Sequence, residues 1–158
     1  MRTAVVTDST AYLPKDVREK LNIHMIPLSV VFRNESYKEE VEITTAGFYE
    51  KLRESKNLRT TTQPSTGDFV ELFDKLSKDY DAVISIHLSS GISGTLQGAI
   101  TAGTMVENIK VYPYDSEISC MVQGFYVEEA AKMALEGKDP EEIIARLDEM
   151  KKSIRAYF

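Results

Sequence analysis

The sequence predicts an α/β domain built on a mostly parallel sheet with helices on both faces. Short apolar segments of strand length alternate with longer segments whose apolar residues recur at helical spacing. Several of the predicted strands end in polar turns rich in serine and threonine. The length of 158 residues is typical of one domain. In such a fold a ligand is expected beyond the carboxyl ends of the strands.

The first half of the chain begins with a strand and a helix. Pro14 suits a first helical position, and Leu13, Val17 and Leu21 then share one helical face. β-branched and apolar residues favour one continuous strand over residues 23–32. The elements expected in this half are a strand at 2–7, a helix at 14–22, a strand at 23–32, a short hairpin strand at 37–38, a helix from 44 or 45 to about 55, and a polar connection at 57–64.

The second half alternates helices and strands more regularly. Ser65 with Asp68 three residues later is typical of a capping box at a helix start. Asp139-Pro140 marks another helix start, just after Gly137 closes the preceding helix. The elements expected in this half are a helix at 67–79, a strand at 82–87, a helix at 95–107, a strand at 109–113, a helix at 119–135 and a helix at 140–153.

The most informative stretch is LSSGISGTLQ at residues 88–97, between a predicted buried strand and a predicted helix. The first turn of a helix leaves backbone N–H donors unsatisfied, and the aligned peptide dipoles make that end electropositive. Gly91 and Gly94 would let the backbone approach a ligand closely. The pattern indicates a cradle for a phosphate or a carboxylate. A serine-rich turn that merely caps its own helix fits the same spacing equally well.

Three hydroxyl-bearing turns are expected at one edge of the sheet. Asp8-Ser9-Thr10, residues 89–95 and Asp115-Ser116 each follow a predicted strand, and the carboxyl ends of parallel strands meet at one edge. This convergence favours an anion site more than one loop alone does. The polar stretch at residues 60–65 is either an extended linker or a further row of donors that faces the cradle. The candidate ligand contacts are Ser9, Thr61, Thr62, Ser93, Gly94 and Thr95.

Composition argues against several classes of function. The formal net charge is −6 and no basic patch stands out, so no nucleic-acid partner is expected. No apolar run approaches the ~18 residues that span a membrane, so no stable membrane insertion is expected. The N-terminal residues lack the apolar core of a signal peptide, which favours a cytoplasmic protein. One cysteine and two distant histidines argue against a disulfide framework and a metal site.

Enzyme motifs are incomplete in this chain. A phosphate-binding GxxxxGK[ST] loop needs a lysine that residues 90–95 lack. GISGT within that loop differs from the serine-hydrolase pattern GxSxG by Thr95 in the last place. His87 lies inside a predicted strand, which favours a core histidine over a catalytic base. A small hydrolase or phosphotransferase that uses Ser93 or Asp8 stays open as an alternative, and so does an interaction domain without a ligand.

Six motifs, in order, resemble the DegV family. They are Asp8-Ser9-Thr10-Ala11, Leu13-Pro14, Ile26-Pro27-Leu28, Thr61-Thr62-Gln63-Pro64-Ser65, the loop from Leu88 to Thr95, and Asp115-Ser116. The resemblance implies a carrier, not an enzyme, that binds a long-chain fatty acid and needs no other cofactor. It also implies that the carrier presents the acid to a fatty acid kinase, and that Thr61 and Ser93 contact the carboxylate. The family's TSQPS pattern has Thr62 in place of its serine here, which keeps the hydroxyl.

The resemblance covers the first of the family's two domains. Residues 1–158 match that N-terminal domain. The second, with a GGRI segment and a histidine that helps to hold the carboxylate, is absent from this chain. We therefore expect an exposed apolar surface around Ile92, Leu96 and Phe125, and a severed strand at residues 156–158. Such a surface favours a homo-oligomer that completes a lipid tunnel across a two-fold axis.

Overall fold

The computed structural model describes residues 2–11, 13–32, 35–38, 60–62, 64–87, 94–117 and 121–155. The strands in these ranges are β1 (Thr3–Asp8), β2 (Ile23–Ile26), β3 (Ser29–Phe32), β4 (Glu35–Lys38), β5 (Thr60–Thr62), β6 (Ala82–His87) and β7 (Lys110–Asp115). The helices are α1 (Lys15–Lys20), α2 (Thr66–Leu76), α3 (Thr95–Met105), α4 (Met121–Leu135) and α5 (Pro140–Arg155), with a 3₁₀ turn at Ser9–Ala11.

The centre of the fold is a four-stranded sheet with the order β2-β1-β6-β7. Every neighbouring pair of these strands is parallel. All six residues of β1 and all six of β6 are buried, as expected for the two inner strands of a sheet covered on both faces. The predicted α/β fold with a parallel sheet and helices on both faces is confirmed.

Helices pack on both faces because successive residues of a strand point to opposite sides. On one face, Val5 of β1 and Ile84 of β6 belong to the core layer that α4 and α5 complete. On the other face, Val6 and Val83 belong to the layer that α2 and α3 complete. The helical side chains buried in these layers are Tyr126, Val127, Ala130, Ala131, Ile143 and Leu147 on the first face, and Phe69, Phe73, Leu76, Ala99 and Ala102 on the second.

A second, antiparallel sheet has the order β4-β3-β5. The single strand predicted over residues 23–32 is therefore wrong, because β2 and β3 belong to different sheets. The break falls at Pro27, which has no backbone N–H, and at Leu28, whose N–H donates to the Ser9 hydroxyl at 3.0 Å. β5 lies within the segment predicted as a polar connection. The helix predicted from residue 44 or 45 to about 55 lies outside the described residues.

Two helix starts follow the predicted capping chemistry. At the start of α2, the Asp68 N–H donates to the Ser65 hydroxyl at 3.1 Å, and the Ser65 N–H donates to the Asp68 carboxylate at 3.3 Å. At the start of α5, the Glu142 N–H donates to the Asp139 carboxylate at 2.9 Å. Side-chain oxygens thus satisfy donors that the first helical turn leaves unpaired.

We predict that Gly124→Ala destabilises the fold by about 1–3 kcal/mol. A Cβ at Gly124 would lie 3.1 Å from the Ala11 carbonyl oxygen, so α4 would have to move away from the 3₁₀ turn. Gly67→Ala is the matched control, since its nearest neighbour is the Ser65 hydroxyl at 3.7 Å. This control should gain roughly 0.5–1 kcal/mol from helix propensity. Urea unfolding of both variants tests the prediction, and equal effects of the two substitutions would contradict it.

Candidate functional site

The carboxyl ends of the parallel strands bring several polar residues to one edge of the sheet. β1 ends at Asp8 and β6 at His87, and Ser9 follows β1 in the 3₁₀ turn. His87 is in register with Asp115, the last residue of β7, which Ser116 follows. We call Asp8, Ser9, His87, Asp115 and Ser116 the carboxyl rim. The predicted convergence of the Asp8 and Asp115 turns at one edge is confirmed.

A chain of hydrogen bonds runs beneath the carboxyl rim. His87 Nδ1 lies 2.9 Å from Asp8 Oδ2, and His87 Nε2 lies 2.5 Å from Ser85 Oγ. Gln123 Nε2 donates to Asp8 Oδ1 at 3.3 Å and to Thr7 Oγ1 at 3.0 Å. These five residues are at most 1% exposed. We call Thr7, Asp8, Ser85, His87 and Gln123 the buried polar network.

The network has the order of groups that a serine hydrolase uses, but it lacks access for a substrate. A neutral imidazole would satisfy the whole chain, with Nδ1–H donated to Asp8 and Nε2 accepting the Ser85 hydroxyl. Ser85 is fully buried in the middle of β6, so its hydroxyl cannot meet a substrate in this conformation. Asp8 is equally buried, which prevents it from acting as an exposed nucleophile. The carboxylate, the imidazole and the hydroxyl are therefore all enclosed within the domain in this conformation.

His87 is also fixed through its backbone and its ring. Its carbonyl oxygen accepts hydrogen bonds from the Ser116 N–H at 3.2 Å and from the Ser116 hydroxyl at 2.6 Å. Its ring meets the Phe69 ring edge-on, with the centroids 5.2 Å apart. Phe69 in turn packs against α3, because a Cβ at Gly98 would lie only 3.4 Å from the Phe69 ring. One side chain of α2 therefore connects His87 to the first turns of α3.

Helix α5 supports the rim at β7. Lys151 Nζ donates to the Asp115 carbonyl oxygen at 2.7 Å and lies 4.5 Å above the Tyr114 ring. The Tyr114 hydroxyl donates to Asp148 Oδ1 at 2.8 Å. Burial, helped by the hydrogen bond to Asp148, raises the pKa of Tyr114, so the phenol keeps the proton that it donates.

The structure describes the side-chain surroundings of Ser9 and Thr95 among the predicted contacts. Ser9 is buried at the rim, where its hydroxyl accepts the Leu28 N–H. Gly94 stands at the N-cap of α3 and supplies no capping side chain. Thr95 is the first residue of α3 and is fully buried. The predicted helix start after the glycine loop is thus confirmed, and the role of these residues in binding stays a prediction.

The other predicted contacts are described in part or not at all. Thr61 and Thr62 lie in β5, in register with Val30 and Ser29, and their side chains lie outside the described part of the structure. Ser93 lies outside the described residues as well. The end of the β5 segment approaches α3, because the Pro64 carbonyl oxygen would lie 3.9 Å from a Cβ at Gly98. The backbone after β5 therefore reaches the helix that follows the glycine loop.

Sequence reasoning missed the buried polar network. The prediction that His87 is a core histidine is confirmed, but its pairing with Asp8 was not foreseen. A signal for it was present, since Ser85 and His87 are two residues apart in a strand and so share a face. Gln123 gave no such signal, because its packing against Asp8 depends on where α4 crosses the sheet.

Two features do not occur in the described ranges, a membrane-spanning helix and a metal-binding cluster. No helix in these ranges is long and apolar enough to cross a membrane. In the same ranges, no three His, Cys, Asp or Glu residues cluster so that they could hold a metal ion.

Comparison with known proteins assigns the family. A family model described as "Uncharacterised protein, DegV family" matches residues 2–158. Protein DegV of Bacillus subtilis (strain 168) is 58% identical over 159 residues, which cover 100% of this chain and 57% of that protein. The chain belongs to the DegV family. It spans little more than half the length of this curated relative.

Solved structures of DegV proteins share the fold. The crystal structure of DegV from Bacillus subtilis, described as a fatty acid binding protein, matches with a TM-score of 0.93 at 58% identity. That match covers 96% of this chain and 54% of the solved chain. A DegV family protein from Thermus thermophilus, described by its fatty acid binding, matches with a TM-score of 0.88 at 33% identity, over 96% of this chain and 54% of that one.

The expected apolar surface is described in part. Phe125 on α4 is 52% exposed, as predicted, whereas Leu96 on α3 is only 7% exposed, so the prediction for Leu96 is wrong. Leu96 lies in the first turn of α3, where the helix packs against the rest of the domain, and not on its outer face. Ile92 and residues 156–158 lie outside the described residues.

We predict that Ser9→Ala lowers the free energy of unfolding by about 1–3 kcal/mol, because the buried Leu28 N–H would lose its acceptor. Ser77→Ala is the control, since the Ser77 hydroxyl donates to the Asp74 carbonyl at the surface. The control should change stability by less than about 0.5 kcal/mol. Urea unfolding measures both variants, and an equally small effect at Ser9 would contradict a structural role for its hydroxyl.

Proposed function

We propose that this chain binds a long-chain fatty acid and holds its carboxylate above the carboxyl rim. One observation carries the proposal. The 3₁₀ turn after β1 and the ends of β6 and β7 lie at one edge of the sheet, and the backbone at Pro64, after β5, approaches α3. The solved DegV proteins described as fatty acid binding share this fold with TM-scores of 0.93 and 0.88. Their similarity supports the same ligand class here.

The chemistry of the rim suits a carboxylate. The N-terminus of α3, an eleven-residue helix, carries the positive end of the helix dipole, which attracts an anion. Gly94 at its N-cap adds no side chain that would block an approaching anion. By the family resemblance, we assign the hydroxyls of Thr61 and Ser93 to the carboxylate. Ser9, Thr62, Gly94 and Thr95 then complete the proposed cradle.

The tail and the head group of the ligand contribute different amounts to the binding free energy. Burial of an acyl chain contributes about 0.8 kcal/mol per CH₂, so ~15 methylenes offer on the order of 12 kcal/mol before the costs of ordering. A hydrogen bond to a charged group contributes roughly 1.5–3 kcal/mol net. The tail therefore supplies most of the affinity, and the head-group contacts set its orientation. The proposed role is that of a carrier which presents the carboxylate to a fatty acid kinase.

An enzymatic role for Asp8 has no support from the geometry. Its carboxylate is fully buried and engaged by His87 and Gln123, so a substrate cannot reach it in this conformation. Ser85, which contacts the same imidazole, is also fully buried. These features count against the alternative that uses Asp8 as a nucleophile, whereas Ser93, the other candidate, lies outside the described residues.

The proposal is tested by palmitate binding to the wild-type chain and to Ser93→Ala. We expect the wild-type protein to bind palmitate and the variant to bind it about 10–100-fold more weakly, as for one lost hydrogen bond to a buried charge. Ser77→Ala, a change at an exposed hydroxyl on the end of α2, serves as the control and should keep the wild-type affinity. Isothermal titration measures all three, with circular dichroism to check the fold.

Two outcomes would contradict the proposal. A wild-type chain that does not bind palmitate would remove the proposed ligand class. An unchanged affinity in a correctly folded Ser93→Ala variant would remove Ser93 from the cradle.

A further inference from the structure

We propose that the buried polar network positions the head-group cradle, so that Ser85, His87 and Gln123 act on carboxylate binding without touching the ligand. The inference rests on the proposed function, because it concerns the geometry of the same site. The members of the buried polar network come from β1, β6 and α4. Its two central groups, Asp8 and His87, are the last residues of their strands. Each directly precedes, in the sequence, a segment that belongs to the proposed cradle.

The first cradle segment begins at Asp8. The Asp8 carboxylate receives hydrogen bonds from His87 on one oxygen and from Gln123 on the other. Ser9 follows directly and fixes the Leu28 N–H. The strand end that precedes this turn is therefore tied to groups on β6 and α4.

The second cradle segment begins after His87, which directly precedes the loop that contains Ser93 in the sequence. Within the described part of the chain, His87 contacts Asp8 and Ser85 through its two ring nitrogens, Ser116 through its carbonyl oxygen, and Phe69 through its ring. Phe69 also packs against α3 at Gly98. Phe69 thus links His87 to the helix that begins at Thr95.

The positions of polar and apolar residues along β1 and β6 indicate that this network sets a geometry in addition to contributing to stability. Val5, Val6 and Ile84, near the centre of β1 and β6, are buried and apolar. The carboxyl-terminal halves of these strands bury the hydrogen-bonded Thr7, Asp8, Ser85 and His87, whereas the buried Thr3 hydroxyl at the amino end of β1 has no partner among the described residues. Burial of polar groups offers little net stability over well-packed apolar ones, and its best-attested benefit is a unique geometry. That geometry is imposed at the end of the sheet where the ligand is proposed to bind.

The test compares palmitate with hexadecan-1-ol, which has the same tail and no charge. Gln123→Met replaces the amide that donates to Asp8 and Thr7 with an apolar side chain of similar length. We expect palmitate to bind about tenfold more weakly to this variant, with less than about twofold change for hexadecan-1-ol. Loss of cradle geometry weakens only the interaction with the charged head group. A general loss of structure would weaken both ligands alike.

Asp139→Ala is the matched control. It removes a helix cap at the start of α5, which should lower stability by about 1 kcal/mol, and it lies outside both the rim and the network. Its affinity ratio for the two ligands should equal that of the wild type. Ser85→Ala, which removes the partner of His87 Nε2, is a second variant with the same expected head-group-specific loss and is decisive where Gln123→Met does not fold.

The outcomes separate the two proposals. The positioning role would be overturned if the variants lost affinity equally for palmitate and hexadecan-1-ol, or if folded Gln123→Met and Ser85→Ala kept the wild-type affinity for palmitate. Either result would leave fatty acid binding intact. A wild-type chain that binds neither ligand would overturn the proposed function, and with it the inference.

Discussion

The hydrogen bond between the Asp8 carboxylate and the His87 imidazole is the constraint on which the carboxyl rim depends. It joins the ends of the two inner strands of the sheet, in a layer where neither group is exposed to solvent. A buried carboxylate is costly unless donors surround it, and here the imidazole and the Gln123 amide supply them. Because these donors belong to β6 and α4, their hydrogen bonds to the Asp8 carboxylate fix β1, β6 and α4 relative to each other.

Apolar packing and the buried polar network therefore have different roles in this domain. The apolar layers on the two faces of the sheet decide which helices pack where, but burial of apolar surface is not directional and does not orient individual polar groups. The polar network tolerates much less, since its hydrogen bonds need particular distances and angles. A site for a charged head group needs that precision, whereas a flexible tail does not. The domain thus keeps its directional interactions at the edge where the carboxylate is proposed to lie.

The sequence was sufficient for whatever depends on local chemistry or periodicity. The parallel sheet, the capping box at Ser65 and Asp68, and the strand before the glycine loop follow from such patterns. The break between β2 and β3 was missed because Ile23–Ile26 and Ser29–Phe32 are both mostly apolar, and the signal of Pro27 between them was not used. The contact between Gln123 and Asp8 was missed for a similar reason, since its partners are 115 residues apart. Leu96 was expected on an apolar surface that the missing second domain would leave open, and the sequence did not show that this face of α3 packs inward within the domain.

Amide chemical shifts of the ¹⁵N-labelled chain during a palmitate titration test most directly whether the carboxyl rim holds the carboxylate. A carboxylate at this rim predicts that the largest shifts arise at Ser9, Gly94 and Thr95, with the side-chain amide of Gln123 responding as well. Tyr80 and Gly137, at the opposite end of the sheet, should remain unchanged. Shifts that are largest at the opposite end, or that leave Ser9 and Thr95 unmoved while palmitate binds, would contradict it.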